Sequence, residues 1–353
     1  MVFMNVIYNK ENEKITIAVA MSGGVDSSTT AYLLKKQGYN IFGVTMKTCK
    51  DEDADAKKVC DDLGIPYYLL DATDSFKDKV IDYFVDEYKN GKTPNPCMIC
   101  NRHIKFGEFL NFALSKGADF MATGHYAQIK DGTLSVGNDP NKDQVYFLSQ
   151  IKKENLKYLV FPIGDMEKPK VRELAKELGV RVYAKKDSQE ICFVDDGKLK
   201  EFLSERSNGA VNKPGNIVTT RGKILGRHSG LAFYTIGQRK GLGISSKDPI
   251  YVLKLDSTTN SVIVGSNEEL LQKELLGDNL NLLTLDNVED LNGIECFAKT
   301  RSRDKMHPCK LELLDSNTVK VVFTEEAVRA ITPGQGVVFY DKDGRVIASA
   351  LIK

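Results

Sequence analysis

The stretch ITIAVAMSGGVDSSTTAYLLKKQG, residues 15–38, constrains this chain more than any other. Its first seven residues form an almost unbroken apolar run, the pattern of a strand covered on both faces. SSTTAYLLKKQG reads as a helix with Gly38 placed as its C-cap. A doubly buried strand that passes through a glycine loop into a helix is the opening of a parallel sheet with helices on both sides. The pattern then repeats. YNIFGVTMK, DADAKKVCDDLG and PYYLLDA read as strand, helix and strand. DSFKDKVIDYFVDEYKNG and RHIKFGEFLNFALSKG read as helices, ADFMATGH as a strand, and EKPKVRELAKELG as a helix with Pro169 near its first turn.

At 353 residues the chain exceeds what one core usually organises. Beyond roughly Leu203 the texture changes: NGAVNKPGNIVTTRGKILGRHSG is rich in Gly, Pro and Asn. From about Leu275, CKLELLDSNTVKVVF and GVVFYDKDGRVIASALI each read as strand, tight turn, strand. The expected architecture is an α/β parallel-sheet P-loop domain over 1–204, a small β-rich domain over 205–272, and a C-terminal β-barrel over 273–353.

The loop AMSGGVDSS, Ala20–Ser28, carries the strongest chemical signal. Gly23 and Gly24 permit a tight turn that brings backbone amides to a phosphate, and the following helix N-terminus adds favourable dipole charge. Ser22, Ser27 and Ser28 are candidate hydroxyl donors. Asp26 would repel a phosphate, so it reads as a Mg²⁺ contact or as an acceptor of loop amides. The Walker pattern GxxxxGK[ST] is absent. The loop instead resembles the pyrophosphatase-type P-loop, SGGxDS, of adenine nucleotide alpha hydrolase-like enzymes, which cleave ATP between its α and β phosphates and adenylate a substrate. Two glycines alone can simply make a turn, but that would leave the gathered serines and aspartate without a reason.

An adenylated carbonyl needs a nucleophile, and the chain has seven cysteines, an odd number scattered too widely for a disulfide framework. In TPNPCMIC, the prolines are expected to hold Cys97 and Cys100 in a surface loop, with Arg102, His103 and Lys105 as positive neighbours that lower a thiolate's pKa. Cys192, in KKDSQEICFVDD downstream of Lys185 and Lys186, is a second candidate. Cys49, Cys60, Cys296 and Cys309 read as small buried hydrophobes. A structural zinc site would need a second ligand pair that the sequence lacks. A thioredoxin-type pair would not be expected beside an ATP loop. The remaining reading pairs one of these thiols with Cys192 in sulfur chemistry on an AMP-activated carbonyl.

Taken together, MSGGVDSS, GVTMK, TPNPCMICNRHIKF, ATGHYA, NKDQVYFLSQ, FPIGDMEKPKVRELA, AKKDSQEICFV, TIGQRKGLGI and ITPGQGVVFY resemble the bacterial tRNA-uridine 2-sulfurtransferases, the tRNA 2-thiouridylases, in order along nearly the whole chain. The resemblance implies transfer of sulfur to C2 of the wobble uridine (U34) in the lysine, glutamate and glutamine tRNAs. It implies that ATP, with Mg²⁺, is held by Ala20, Met21, Ser22, Gly23, Gly24, Val25, Asp26 and Ser27, with Met46 on the adenine and Gly124 also touching the nucleotide. Cys100 falls on the family's nucleophile and Cys192 on its persulfide carrier, loaded by a cysteine desulfurase or a sulfur-relay protein. Asn95, Pro96 and Cys97 fall where the family meets the target base. His125, Lys142, Asp143, Gln144, Arg301, Ser302 and Gln335 fall on tRNA contacts.

Two departures stand out. Many members carry Asp where this chain has Cys97, and the segment after Met46 is shorter than in some relatives. Three thiols, Cys97, Cys100 and Cys192, also raise the alternative of a [4Fe–4S] cluster with one open iron. With 49 basic and 48 acidic residues, tRNA must be gripped by local clusters such as RGKILGRHSG, GQRKGLG and KTRSRDKMHPCK. The start lacks a basic segment leading into an apolar one, and no run of about twenty apolar residues follows. The expectation is a cytoplasmic protein that does not meet the membrane, with a monomer as the default.

Overall fold

The computed structural model describes residues 9–49, 53–185 and 191–353, apart from the side chain of Asp53. In chain order it gives β1 (Thr16–Ala20), α1 (Val25–Lys36), β2 (Asn40–Lys47), α2 (Asp53–Leu63) and β3 (Tyr67–Asp71). Then come α3 (Thr73–Phe76), a π-turn (Lys77–Ile81), α4 (Asp82–Lys89), α5 (Pro96–Cys100), a π-helical stretch (Asn101–Phe109) and α6 (Leu110–Ser115). They are followed by β4 (Phe120–Ala122), β5 (Ala127–Lys130), β6 (Thr133–Val136), α7 (Val145–Leu148), β7 (Leu159–Val160), α8 (Lys168–Glu177) and α9 (Leu199–Arg206).

The residues group into two compact units. One holds the described residues of Met1–Lys79, Cys97–Gln189 and Asp343–Val346; the other holds those of Val80–Pro96, Glu190–Lys342 and Ile347–Lys353. The first is built on a parallel sheet of order β3-β2-β1-β4-β7. Ile17, Ala18 and Val19 of β1 are fully buried between the helices, as a doubly covered strand requires. Strand order turns back between β1 and β4, so the loops after these two strands open onto the crevice where such sheets bind ligands.

The second unit contains two β structures. A four-stranded sheet is formed by β8 (Gly215–Thr219), β9 (Ile224–His228), β10 (Tyr251–Asp256) and β11 (Ser261–Gly265), in the order β10-β11-β8-β9. Ile217, Val252, Val262 and Val264 fill its core. After a short strand β12 (Leu271–Gln272), paired with β17 (Val328–Arg329), six strands close a barrel. They are β13 (Glu274–Leu282), β14 (Glu295–Lys299), β15 (His307–Asp315), β16 (Thr318–Phe323), β18 (Gly336–Tyr340) and β19 (Val346–Ile352). Alternate residues such as Leu311, Val319, Val321, Val337 and Phe339 point inward and fill it. The expected fold class, a parallel-sheet P-loop domain followed by β-rich structure and a C-terminal barrel, is the fold observed. Among the described residues no helix is long and apolar enough to cross a membrane.

Candidate active site

Residues Ala20–Gly24 carry the chain from β1 into α1, a twelve-residue helix whose N-terminus faces the carboxyl end of the sheet. Gly23 has φ +67°, and a Cβ there would lie 3.0 Å from the Cβ of Asp55, so a side chain would be strained and crowded. The loop is braced internally: the Ser22 amide donates to Ser27 Oγ at 3.3 Å, and Ser27 Oγ donates to the Gly24 carbonyl at 3.2 Å. Ser22 is exposed, whereas Ser28 is fully buried. Ser27, which braces the loop, is likewise buried.

Asp26 departs from the sequence expectation. Its carboxylate accepts the Lys168 ammonium at 2.7 and 2.8 Å and the Tyr126 hydroxyl at 2.9 Å. Lys168 comes from the first turn of α8 and is only 7 % exposed. With both oxygens engaged by an ammonium, Asp26 is neither the acceptor of loop amides nor a carboxylate open to Mg²⁺. The residues here do not fit a metal held by Asp26. Gly124, after β4, meets the same place from the other side: a Cβ on it would stand 2.7 Å from Asp26 C and Ser27 N. Only glycine lets the two loops approach this closely. Met46, at the carboxyl end of β2, is half-buried.

Tyr126 connects this loop to the segment expected to touch tRNA. Its amide donates to Gln144 Oε1 at 3.0 Å and its carbonyl accepts the Gln144 amide at 2.9 Å. Asp143 Oδ1 accepts the Gly137 amide at 2.8 Å, just after the β5–β6 hairpin. Lys142, Asp143 and Gln144 are all half-buried, so at least the latter two have structural tasks of their own. His125 Nδ1 lies 2.7 Å from Thr123 Oγ1, between the rings of Phe106 and Phe161. Burial, with the Lys105 ammonium adding to it, holds His125 well below its usual range, so the imidazole is neutral at physiological pH.

TPNPCMIC does not place both cysteines in a loop. Pro96 opens α5, where a proline lacks only an amide that has no partner anyway, and Cys97 and Cys100 fall on that first turn. Met98 and Ile99 are buried and anchor the turn. Behind it Asn101 Nδ2 donates to the Phe147 carbonyl at 2.9 Å. The helix then widens into its π-helical stretch and breaks at Phe106 (φ −104°, ψ 15°), whose carbonyl is taken by Asn155 Nδ2 at 2.7 Å. Such widened turns gather at functional sites.

Cys97 is exposed and Cys100 half-buried, yet the protein around them raises both pKa values. The combination describes thiols that water reaches but many protein atoms surround. For Cys100, burial pushes the thiol up to about 11; Lys105 pulls it down and Cys97 pushes it further up. The expected trio of activating cations reduces to one. Arg102 turns to the Gln150 carbonyl at 3.1 Å, and His103, its pKa lowered mainly by burial, is exposed. The resting thiol is protonated, contrary to expectation.

The second unit holds the other candidates. Cys192 is exposed, while the next residue, Phe193, is buried, edge-on to Phe84 of α4 at 5.3 Å and tilted against Phe202 of α9 at 5.5 Å. Lys186, one of the expected neighbours of Cys192, lies outside the described residues. Asn95 and Pro96 lead into α5, and the Thr93 carbonyl before them accepts Gln335 Nε2 at 2.7 Å. Arg301 Nη2 donates to the Ala330 carbonyl and to Thr332 Oγ1, each at 2.7 Å, and Ser302 beside it is half-buried. Gln335 and Arg301, expected on tRNA, are thus spent partly on the protein itself.

Cys60, Cys296 and Cys309 are buried as expected; Cys296 and Cys309 face each other across β14 and β15 with sulfurs 3.6 Å apart. Cys49 is exposed, which corrects its reading as a buried hydrophobe. Among the described residues no disulfide forms, and no group of three or more His, Cys, Asp or Glu side chains is arranged to hold a metal ion.

A glycine loop between the first strand and helix of a parallel sheet, at its topological switch point, is the ligand-binding arrangement of a doubly wound α/β domain. Three family descriptions match consecutive parts of the chain: tRNA methyl transferase HUP domain at 15–196, tRNA methyl transferase PRC-barrel domain at 200–266, and aminomethyltransferase beta-barrel domain at 272–352. The chain is 64 % identical over 346 residues to the tRNA-specific 2-thiouridylase MnmA 1 of Fusobacterium nucleatum, covering 98 % of this chain and 95 % of that protein. It is 45 % identical over 352 residues to the tRNA-specific 2-thiouridylase MnmA of Clostridioides difficile, covering 94 % and 96 %. Among solved structures, the U34-tRNA thiolase NcsA from Methanococcus maripaludis with its [4Fe-4S] cluster matches at 21 % identity and TM-score 0.35 over 55 % of this chain and 66 % of that one, a likeness too slight to carry an argument. The chain belongs to the MnmA family of tRNA-specific 2-thiouridylases: it is a tRNA sulfurtransferase that thiolates uridine.

Proposed function

We propose that the enzyme uses ATP to adenylate the wobble uridine of tRNA and then delivers sulfur from a persulfide on Cys192, with Cys100 as the thiol that resolves it. The observation that carries this reading is the braced loop Ser22–Ser27 at the N-terminus of α1, whose amides and hydroxyls are suited to a triphosphate. Ala20, Met21, Ser22, Gly23, Gly24, Val25 and Ser27 would line the nucleotide, with Met46 against the base. Gly124 would close the site, and Asp26 would act through Lys168 rather than through a metal. Mg²⁺ would then reach the site on the phosphates of ATP.

Uridine O2 attacks the α-phosphorus, the bond to the β-phosphate oxygen breaks, and its electron pair leaves with pyrophosphate while the N3 proton is lost to solvent. The terminal sulfur of the Cys192 persulfide then attacks C2 and AMP departs. Attack of the Cys100 thiolate on Cys192 Sγ releases 2-thiouridine and leaves a disulfide between the two cysteines. Equally balanced is the order in which Cys100 attacks first and frees hydrosulfide, which then displaces AMP. In either order the sulfane sulfur is reduced and two thiols are oxidised, so an external reductant resets the enzyme. Cys100 begins protonated, so its attack depends on losing a proton when the substrates bind, with Lys105 the cation placed to favour the thiolate.

Asn95, Pro96 and Cys97 would meet the flipped base. His125, Lys142, Asp143, Gln144, Arg301, Ser302 and Gln335 would meet the tRNA, with 205–272 and 273–353 as its docking domains beside a catalytic domain at 1–204. The lysine, glutamate and glutamine tRNAs are the proposed acceptors, and a cysteine desulfurase or relay protein the sulfur source. The test is 2-thiouridine formation on purified tRNA with ATP and a sulfur donor. Omission of ATP should abolish it, and undiminished thiolation without ATP would reject adenylation.

A further inference from the structure

Walker-type loops carry their own phosphate-binding lysine; SGGVDSS carries none. Two lysines from distant sequence end on the loop instead. Lys168 Nζ pairs with both oxygens of Asp26 and lies 5.6 Å from the centre of the Tyr126 ring. Lys185 Nζ donates to the Gly23 carbonyl at 3.1 Å and to Asp55 Oδ2 at 2.9 Å. Their settings differ. The Lys168 pair is largely enclosed, with side chains 9 % and 28 % exposed, so leaving Asp26 would strand a buried charge. The Lys185–Asp55 pair is 47 % and 42 % exposed, where water screens an ion pair and a change of partner costs little.

The base of Lys185, by contrast, is fixed. Its amide donates to the Val182 carbonyl at 2.9 Å, and Arg172 donates to the carbonyls of Tyr183 and Lys185 at 3.0 and 3.1 Å. Arg181, four residues earlier, holds Asp62 of α2 through two bonds at 2.7 and 2.9 Å. A loosely held ammonium on a fixed base thus lies within hydrogen-bond reach of the tightest turn of the phosphate loop.

We propose that Lys185 is the phosphate-binding cation of this loop: on nucleotide binding its ammonium leaves Asp55 and pairs with the pyrophosphate moiety of ATP. There it neutralises the charge that builds on the leaving group as the bond from the α-phosphorus breaks, while Lys168 stays on Asp26. This rests on the reading of the loop as an ATP site.

The test measures binding of ATP and of inorganic pyrophosphate, and tRNA-dependent pyrophosphate release, for the full-length wild type, Lys185→Met, Lys185→Arg and Asp55→Asn. Lys185→Met should slow pyrophosphate release on the order of a hundredfold, and Lys185→Arg should recover to within about tenfold of wild type. Asp55→Asn removes the competing carboxylate and should bind pyrophosphate at least as tightly as wild type. A mere strut between the loop and α2 would lose as much from Asp55→Asn as from Lys185→Met, and that result overturns the proposal. So does equal pyrophosphate binding and release by wild type and Lys185→Met. If the wild type itself neither binds ATP nor releases pyrophosphate with tRNA present, the ATP reading fails and the proposal fails with it.

Discussion

Gln335 Nε2 donates to the carbonyl of Thr93 at 2.7 Å, and the Thr93 amide donates to the Pro333 carbonyl at 2.9 Å. A turn of the C-terminal barrel thereby holds the start of TPNP, three residues before α5 begins and four before Cys97. Gln335 is therefore a positioning residue whatever else it touches. Removing the carboxamide loses a net hydrogen bond of about 1 kcal/mol. Gln335→Ala should lower the single-turnover rate of thiolation roughly fivefold with little change in tRNA affinity. A pure tRNA contact would instead weaken binding at an unchanged rate, and filter binding beside single-turnover kinetics separates the two.

The Asp26–Lys168 pair should dominate the stability of the nucleotide unit. Asp26→Asn and Lys168→Met each leave a partly buried partner unpaired and should destabilise by about 2–4 kcal/mol. The double substitution should cost clearly less than the sum, because neither charge is then stranded. Denaturant unfolding of the four proteins checks this, and additive effects would show the pair to be uncoupled.

Much of the fold was legible because its signals are local. ITIAVAM and SGGVDSS announce a buried strand and a turning loop, and the alternating barrel strands announce their inner face. The β5–β6 hairpin was equally local: Asp131 and Gly132 both have positive φ, as the tight hairpin turn asks of an Asp-Gly pair, but the reading passed over KDGT. The helical setting of the CxxC was also written in Pro96, which can open a helix as readily as it ends one. The partners of the phosphate loop were not legible. Lys168 is 142 residues from Asp26, Lys185 is 162 from Gly23 and Gln335 is 242 from Thr93, and no local pattern selects those side chains from the other lysines and glutamines. The protonated state of Cys100 was hidden likewise. Three cations follow it in sequence, but burial outweighs Lys105, and Arg102 turns away.

Gly124→Ala should damage both packing and chemistry. The new methyl group would stand 2.7 Å from the backbone of Asp26 and Ser27, so the start of α1 must shift. Overpacking of this kind costs about 1–3 kcal/mol, and ATP binding should weaken with it. Melting curves recorded with and without ATP test both effects; an unchanged melting temperature and ATP-induced shift would contradict the close approach.

The pH dependence of Cys100 follows from its raised pKa. At pH 7 the group is a thiol, and its thiolate fraction rises tenfold per pH unit until about 11. Alkylation of Cys100 by iodoacetamide, followed by mass spectrometry of its peptide, should therefore keep accelerating beyond pH 9, where an ordinary thiol levels off. Lys105→Gln, which removes the cation favouring the thiolate, should slow alkylation at any fixed pH in that range. The stability linkage has the opposite sense: above the ordinary value of 9.0 the unfolded chain gives up this proton first, so the contribution of Cys100 to stability declines as pH rises from about 9 to 11.

The most direct measurement is 2-thiouridine formed on tRNA in single turnover, with ATP and a persulfide donor, by wild type, Cys100→Ser and Cys192→Ser. Persulfide transfer with a resolving thiol predicts that each serine variant falls below about a hundredth of the wild-type rate, and that Cys97→Ala keeps measurable activity. Wild-type thiolation by either serine variant would contradict it.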